Sequence, residues 1–120
     1  MNTPVMGPQL KPEGGVTRHS LHNGQILKAA HGAVKSVHCL YNPSDVWYRV
    51  EVIYQDGFQF TFSGFSWGYD GEGPRGLAEW AADNGVPLDV AAIRRLDNNT
   101  RGTKYLGTWG NGQWEASCVA

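Results

Sequence analysis

The alternation of apolar residues from position 46 to 62 limits the fold of this chain more than any other feature of its sequence. Two runs at period two, 46–54 and 58–62, predict β-strands, and Gln55-Asp56-Gly57 separates them. A two-residue loop would set the apolar face of one strand beside the polar face of the other. A three-residue loop with Gly57 in the left-handed region aligns the two apolar faces, so the sequence predicts an antiparallel hairpin with one buried side. The predicted pairs are Tyr54 with Phe58, Val52 with Phe60 and Val50 with Phe62.

A second hairpin is predicted at the C-terminus, where residues 105–109 and 113–118 flank a glycine-rich turn. The dipeptide Asn111-Gly112 is typical of a two-residue hairpin loop, because both residues tolerate the left-handed backbone conformation. This terminal hairpin is aromatic, and cross-strand aromatic contacts stabilise it. The expected pairs are Trp109 with Trp114 and Tyr105 with Cys118.

Shorter patterns predict the rest of an α+β fold. Residues 25–29 and 33–41 are interpreted as two further strands. Apolar residues at helical spacing predict one helix from Pro74 to a stop at Asn84-Gly85, and a second short helix over 88–96. We therefore expect a small antiparallel sheet built from hairpins, with two short helices packed on one face and the aromatic hairpin at the C-terminus.

The length of 120 residues fits a single domain. Residues 1–20 contain three prolines and the pair Gly14-Gly15 but few large apolar side chains, which is typical of a segment that does not bury enough surface to order itself. The sequence thus predicts a flexible or loosely docked N-terminal arm over 1–20 and one α+β domain over 21–120.

Charge and cysteine content limit the possible partners and the compartment. The net charge of −1 gives no long-range basic field, so we expect no nucleic-acid partner, and no apolar run is long enough to cross a membrane. Cys39 and Cys118 lie outside any metal-binding or redox spacing, and the N-terminus lacks the pattern of a signal peptide. A cytoplasmic protein with reduced thiols and no cofactor is expected, and the sequence leaves its oligomeric state open.

The glycine-rich segment 67–76 is the main candidate for a functional site. Backbone N–H groups at a helix N-terminus bind anions, and glycine lets a ligand approach the backbone closely. The segment also carries carboxylates where a phosphate would sit, and its glycine spacing matches neither the Walker A motif nor the dinucleotide-binding fingerprint. Two interpretations of the segment stay open: it is a tight turn alone, or it is a tight turn that also forms a ligand site. The predicted ligand-binding residues are Trp67, Tyr69, Asp70, Gly71, Glu72, Gly73 and Arg75.

The stretch from Phe62 to Ala78 resembles a motif found in small uncharacterised bacterial and phage proteins. Its residues Trp67-Gly68-Tyr69-Asp70-Gly71-Glu72-Gly73-Pro74 are similar to the pattern Trp-Gly-Tyr-x-Gly-x-Gly-Pro of those proteins. The resemblance implies a shared loop design and a bacterial or phage setting. It transfers no catalytic residue and no substrate to this chain.

Metal and catalytic chemistry have weaker support in the sequence. His19 and His22 have a ligand-like spacing but lie in the predicted arm without a nearby carboxylate or cysteine, so no metal site is expected. Asp70 and Glu72 are the best candidates for acid–base catalysis, and no serine or cysteine nucleophile has a recognisable motif. No catalytic residue is therefore assigned.

Three functional hypotheses follow. The first is a non-enzymatic module that binds a small ligand, either nucleotide-like or another anion, at the glycine-rich segment. The second is a protein-interaction or inhibitor module that uses exposed tryptophans as anchors. The third is a small enzyme that uses Asp70 or Glu72. The predicted partner-binding residues of the second hypothesis are Trp47, Trp109 and Trp114.

Overall fold

The computed structural model describes residues 9–94 and 101–118, and within them the chain forms one five-stranded sheet and three helices. The strand order β3-β2-β1-β4-β5 is antiparallel throughout. This confirms the predicted α+β class. The elements are α1 (Thr17–His31), β1 (Val34–Asn42), β2 (Trp47–Tyr54), β3 (Gln59–Phe62), α2 (Glu72–Asp83), α3 (Val90–Arg94), β4 (Gly102–Gly110) and β5 (Gln113–Cys118).

Both predicted hairpins have the predicted register. Between β2 and β3, Val50 pairs with Phe62 and Val52 with Phe60, and Gly57 has a φ of 92°. The Tyr54 N–H donates to the carbonyl oxygen of Phe58 at 2.8 Å, which closes the three-residue loop. The turn residues and the apolar alternation therefore fixed this register together.

The C-terminal hairpin has the predicted two-residue turn, because Asn111 and Gly112 have φ values of 54° and 78°. Its two tryptophan rings lie 5.9 Å apart in an edge-to-face arrangement. The register is also the expected one. Trp109 pairs with Trp114, and Tyr105 pairs with Cys118.

The core lies between one face of the sheet and the helices. The central strand β1 contributes Val37 and Cys39 to this face, and its neighbour β2 contributes Val50 and Val52. Burial raises the pKa of the Cys39 thiol well above its usual range, so this thiol stays protonated. The other face of the sheet, which we call the open face, carries mainly polar side chains and a surface groove.

The predicted strand over 25–29 is wrong, because these residues belong to the helix α1. The buried positions of α1 recur at helical spacing, but four of the five are polar or lack a side chain. An apolar-periodicity argument does not detect such a helix. The buried residues are Thr17, Ser20, Asn23, Gly24 and Leu27.

The predicted N-terminal arm also differs from the structure over its described part. Residues 17–20 form the first turn of α1, and residues 9–16 lie along this helix as a segment that we call the N-terminal strap. The Asn23 amide accepts a hydrogen bond from the Lys11 N–H at 2.7 Å and donates one to the Lys11 carbonyl oxygen at 2.8 Å. These hydrogen bonds to the buried Asn23 side chain hold the strap in place, although the strap has few apolar residues to bury. Residues 1–8 lie outside the described ranges.

Further hydrogen bonds tie the strap to the domain. Glu13 accepts hydrogen bonds from the side chains of Ser20 and Asn23, and one from the Ser63 N–H at 3.0 Å. His19 and His22, considered above as metal ligands, each hydrogen-bond a carbonyl oxygen of the strap at 3.0 and 3.1 Å. In the structure this histidine pair therefore docks the strap against α1.

The helices α1 and α2 pack closely at two glycines. A Cβ on Gly24 would lie 2.8 Å from the Trp80 ring, and a Cβ on Gly76 would lie 2.4 Å from the Thr17 methyl group. α2 begins two residues before Pro74, and Gly85 follows its end with a φ of 65°. α3 begins at Val90, two residues later than predicted, and residues 95–96 of the predicted helix lie outside the described ranges.

None of the helices in the described part of the chain is long and apolar enough to span a membrane.

Candidate functional site

The predicted glycine-rich site does not converge on one cavity. Trp67, predicted to be an aromatic wall of the site, is 0% exposed and packs edge-on against Tyr48, with ring centres 5.0 Å apart. Tyr69 is 47% exposed, and its hydroxyl group lies 2.7 Å from that of Ser66. Trp67 is therefore a core residue, whereas Tyr69 remains accessible.

The loop glycines make room for the protein's own side chains. A Cβ on Gly71 would lie 2.7 Å from the Tyr69 ring, and a Cβ on Gly73 would lie 1.9 Å from the Ser66 hydroxyl oxygen. The absence of side chains at these positions lets the start of α2 settle against Tyr69 and Ser66. Close packing accounts for both glycines without a ligand.

The charged residues of the loop lie on its outer side. The guanidinium group of Arg75 is 3.6 Å from the Asp70 carboxylate, and both side chains are exposed. Glu72 is the first residue of α2, where a negative charge interacts favourably with the helix dipole. Tyr69, Asp70 and Arg75 border a depression of about 210 Å³. The structure therefore separates these groups from the buried Trp67.

A larger cleft lies beside the same loop, between the start of β2 and residues 63–69. We call it the Trp47 cleft; its volume is about 410 Å³. Three separate segments form its walls, and Tyr69 is the one predicted ligand-binding residue among them. The lining residues are Gly15, Thr17, Val46, Trp47, Tyr48, Arg49, Ser63, Gly64, Phe65, Ser66 and Tyr69.

The lining chemistry of the Trp47 cleft is aromatic with a single cation. Arg49 is the one formally charged residue among the described residues that line it. Its guanidinium carbon lies 4.4 Å from the centre of the Trp47 ring, a cation–π contact that orients both groups. Burial, with smaller contributions from Tyr41 and Tyr69, raises the pKa of Tyr48 to about 12. Tyr48 therefore presents a neutral phenol at neutral pH.

The backbone at the edge of this cleft is strained. Val46, predicted as an inward residue of the strand, instead precedes β2 and is 69% exposed. Its φ of 50° is unfavourable for a β-branched residue. Such strain costs about 1–3 kcal/mol and is concentrated at functional sites. The strained Val46 is one of the residues that line the Trp47 cleft.

The open face of the sheet carries one polar cluster that the sequence did not reveal. The Thr103 hydroxyl and His38 Nε2 share a hydrogen bond of 2.7 Å, and His38 Nδ1 lies 3.6 Å from a carboxylate oxygen of Glu51. A groove of about 470 Å³ runs over this face and is lined by His38 and Glu51, but not by Thr103. The contacts with Thr103 and Glu51 orient the imidazole ring of His38. The groove is therefore bordered by the imidazole and the Glu51 carboxylate, and the Thr103 hydroxyl lies outside it.

The three predicted partner-binding tryptophans lie at two separate places. Trp47 is half-buried in the cleft. Trp109 is 38% exposed, and Trp114 packs against the edge of the core. These two line a smaller depression near the end of α2. The tryptophans therefore do not form one continuous surface.

The Trp47 cleft was missed because its walls are far apart in the sequence. One signal was available: Trp47 and Arg49 are alternate residues of a strand and so share a face.

Within residues 9–94 and 101–118, no three His, Cys, Asp or Glu side chains lie close enough together to hold a metal ion. Comparison of the chain with protein-family models, curated proteins and solved structures gives no match.

Proposed function

We propose that this protein is a non-enzymatic binding module for a planar, anionic, nucleotide-like ligand, and that the Trp47 cleft is the binding site. The observation that carries the proposal is the pairing of Arg49 with Trp47 in a concave site without carboxylates among its described lining residues. Ligand sites combine aromatic walls with a few polar groups in this way.

The cleft offers complementary groups for both parts of such a ligand. Trp47 and the accessible Tyr69 supply ring faces for a planar base. Arg49 supplies a charged donor for a phosphate or carboxylate. The hydroxyl groups of Ser63 and Ser66 add neutral hydrogen-bonding partners.

This proposal keeps the predicted ligand class but moves the site away from the helix N-terminus. Asp70 and Glu72 do not line the Trp47 cleft, so their negative charges no longer oppose an anionic ligand there. Asp70 is engaged with Arg75, which gives the enzyme hypothesis no supporting geometry. A cytoplasmic location and a bacterial or phage setting stay predictions.

The test begins with native mass spectrometry of the purified protein, followed by titrations with the common nucleoside monophosphates and their parent nucleosides. We expect at least one monophosphate to bind and its nucleoside to bind about tenfold to a hundredfold more weakly, because a charged hydrogen bond contributes about 1.5–3 kcal/mol. Tryptophan fluorescence reports the titration, since Trp47 lies in the site.

Two arginine variants locate the site. Arg49→Ala is expected to lose the preference for the monophosphate over the nucleoside. Arg75→Ala is the matched control, because it removes an exposed arginine beside the same loop but outside the Trp47 cleft. Equal loss of affinity in both variants, or no binding of any monophosphate by the wild type, would contradict the proposal.

A further inference from the structure

The strand β5 is an open edge of the sheet. It pairs with β4 on one side, and no strand in residues 9–94 or 101–118 pairs with its other side. Five of its six residues are exposed. Natural edge strands are protected by proline, charged side chains, a bulge or short length. Gln113–Cys118 has no proline and no register shift, and Glu115 is its single charged residue. The opposite edge, β3, has only four residues.

The geometry of the hairpin determines which backbone groups face outward. In a two-residue hairpin, the pair that flanks the turn, here Gly110 and Gln113, is hydrogen-bonded, and bonded and non-bonded pairs alternate from there. Glu115 and Ser117 therefore direct their N–H and C=O groups toward β4. Trp114 and Ala116 direct theirs away from it, toward the open edge.

We propose that β5 pairs antiparallel with β5 of a second copy of this chain, with Ala116 on the two-fold axis. This interface is independent of the proposed ligand site, since no residue of the Trp47 cleft lies in β5. The pairing joins the two sheets into one continuous sheet, a symmetric arrangement in which the same strand serves both copies.

The charges of β5 select this register. Two symmetric registers overlap the strand to the same extent, one centred on residue 115 and the other on residue 116. The first would place Glu115 directly opposite its own copy, and like charges in that position are destabilising. In the second, Glu115 lies opposite the neutral Ser117 and Ala116 lies opposite itself. The outward N–H and C=O groups of Ala116 then form the central hydrogen-bonded pair.

The test compares two lysine substitutions at neighbouring exposed positions. Ala116→Lys places two ammonium groups on either side of the axis, and we expect the dimer to weaken about tenfold. Ser117→Lys places each lysine opposite a glutamate of the other copy, and we expect the dimer to strengthen about fivefold. Sedimentation velocity over a range of protein concentrations measures both effects. Far-ultraviolet circular dichroism verifies that each variant is folded.

Amide hydrogen exchange tests which backbone N–H groups of β5 bond to the second copy. In the wild type at high concentration, the amide of Ala116 should exchange more slowly than at low concentration, whereas those of Glu115 and Ser117 should not change.

Opposite shifts in dimer affinity for the two lysine variants support the interface. A chain that stays monomeric even as Ser117→Lys, or a dimer that responds equally to both substitutions, overturns it.

Discussion

Replacement of Gly73 by alanine tests whether the loop glycines serve internal packing. The added Cβ would lie 1.9 Å from the Ser66 hydroxyl oxygen, well inside ordinary contact, and 3.1 Å from the Tyr69 hydroxyl. The Ser66 side chain or the start of α2 must therefore move by about 1.5 Å to restore van der Waals distance. Either movement breaks the 2.7 Å hydrogen bond between Ser66 and Tyr69.

The expected loss of stability follows from three contributions. Overpacking costs about 1–3 kcal/mol, and the lost hydrogen bond costs about 1 kcal/mol. The better helix propensity of alanine returns up to about 1 kcal/mol. We therefore expect Gly73→Ala to lower the free energy of unfolding by about 2 kcal/mol, measured by urea denaturation with tryptophan fluorescence.

Two variants accompany this measurement. Ser66→Gly removes the obstructing side chain, so Gly73→Ala should cost less than about 1 kcal/mol in that background, the difference being the coupling energy. Gly110→Ala is the control, because its Cβ meets nothing within 4 Å. A Gly73→Ala protein as stable as the wild type would refute the packing argument, as would an equal cost with and without Ser66.

Two further predictions concern backbone strain and pH. Val46→Asn should raise the free energy of unfolding by about 1 kcal/mol in urea denaturation, because asparagine tolerates the positive φ and Val46 buries little surface; an unchanged or lower stability would contradict the strain. Hydrogen bonds from the Phe58 N–H and from His31 lower the pKa of Asp56. The ionised Asp56 therefore stabilises the fold above its unfolded pKa of about 3.9, and this contribution disappears as the pH falls through the lower folded value. Asp56→Asn should flatten the loss of stability in acid, and an identical pH profile in the variant would oppose this account.

The parts of the fold that were predictable depend on local sequence. In each hairpin the turn residues and the apolar alternation lie within a short segment and require the same register, which is why both registers were correct. The helix α1 was missed because its buried face is built from Ser20, Asn23 and Gly24. These residues are buried only because the strap and α2 supply partners from elsewhere in the chain.

The candidate site was predictable only in part, for a similar reason. The sequence drew attention to Tyr69 and to the loop that carries it, but the side chains opposite come from residues 15–17 and 46–49. A glycine that admits a ligand and one that admits a neighbouring side chain look identical in a sequence. The contact of Gly73 with Ser66 becomes visible only in three dimensions.

The central position of β1 has a consequence for how the chain folds. Each hairpin, and the pairing of β1 with β2, joins segments that are close in sequence, whereas β1 and β4 are separated by β2, β3, α2 and α3. Closing that long loop costs conformational entropy before any contact repays it. We therefore expect β1 and β4 to pair later in folding than the strands of either hairpin.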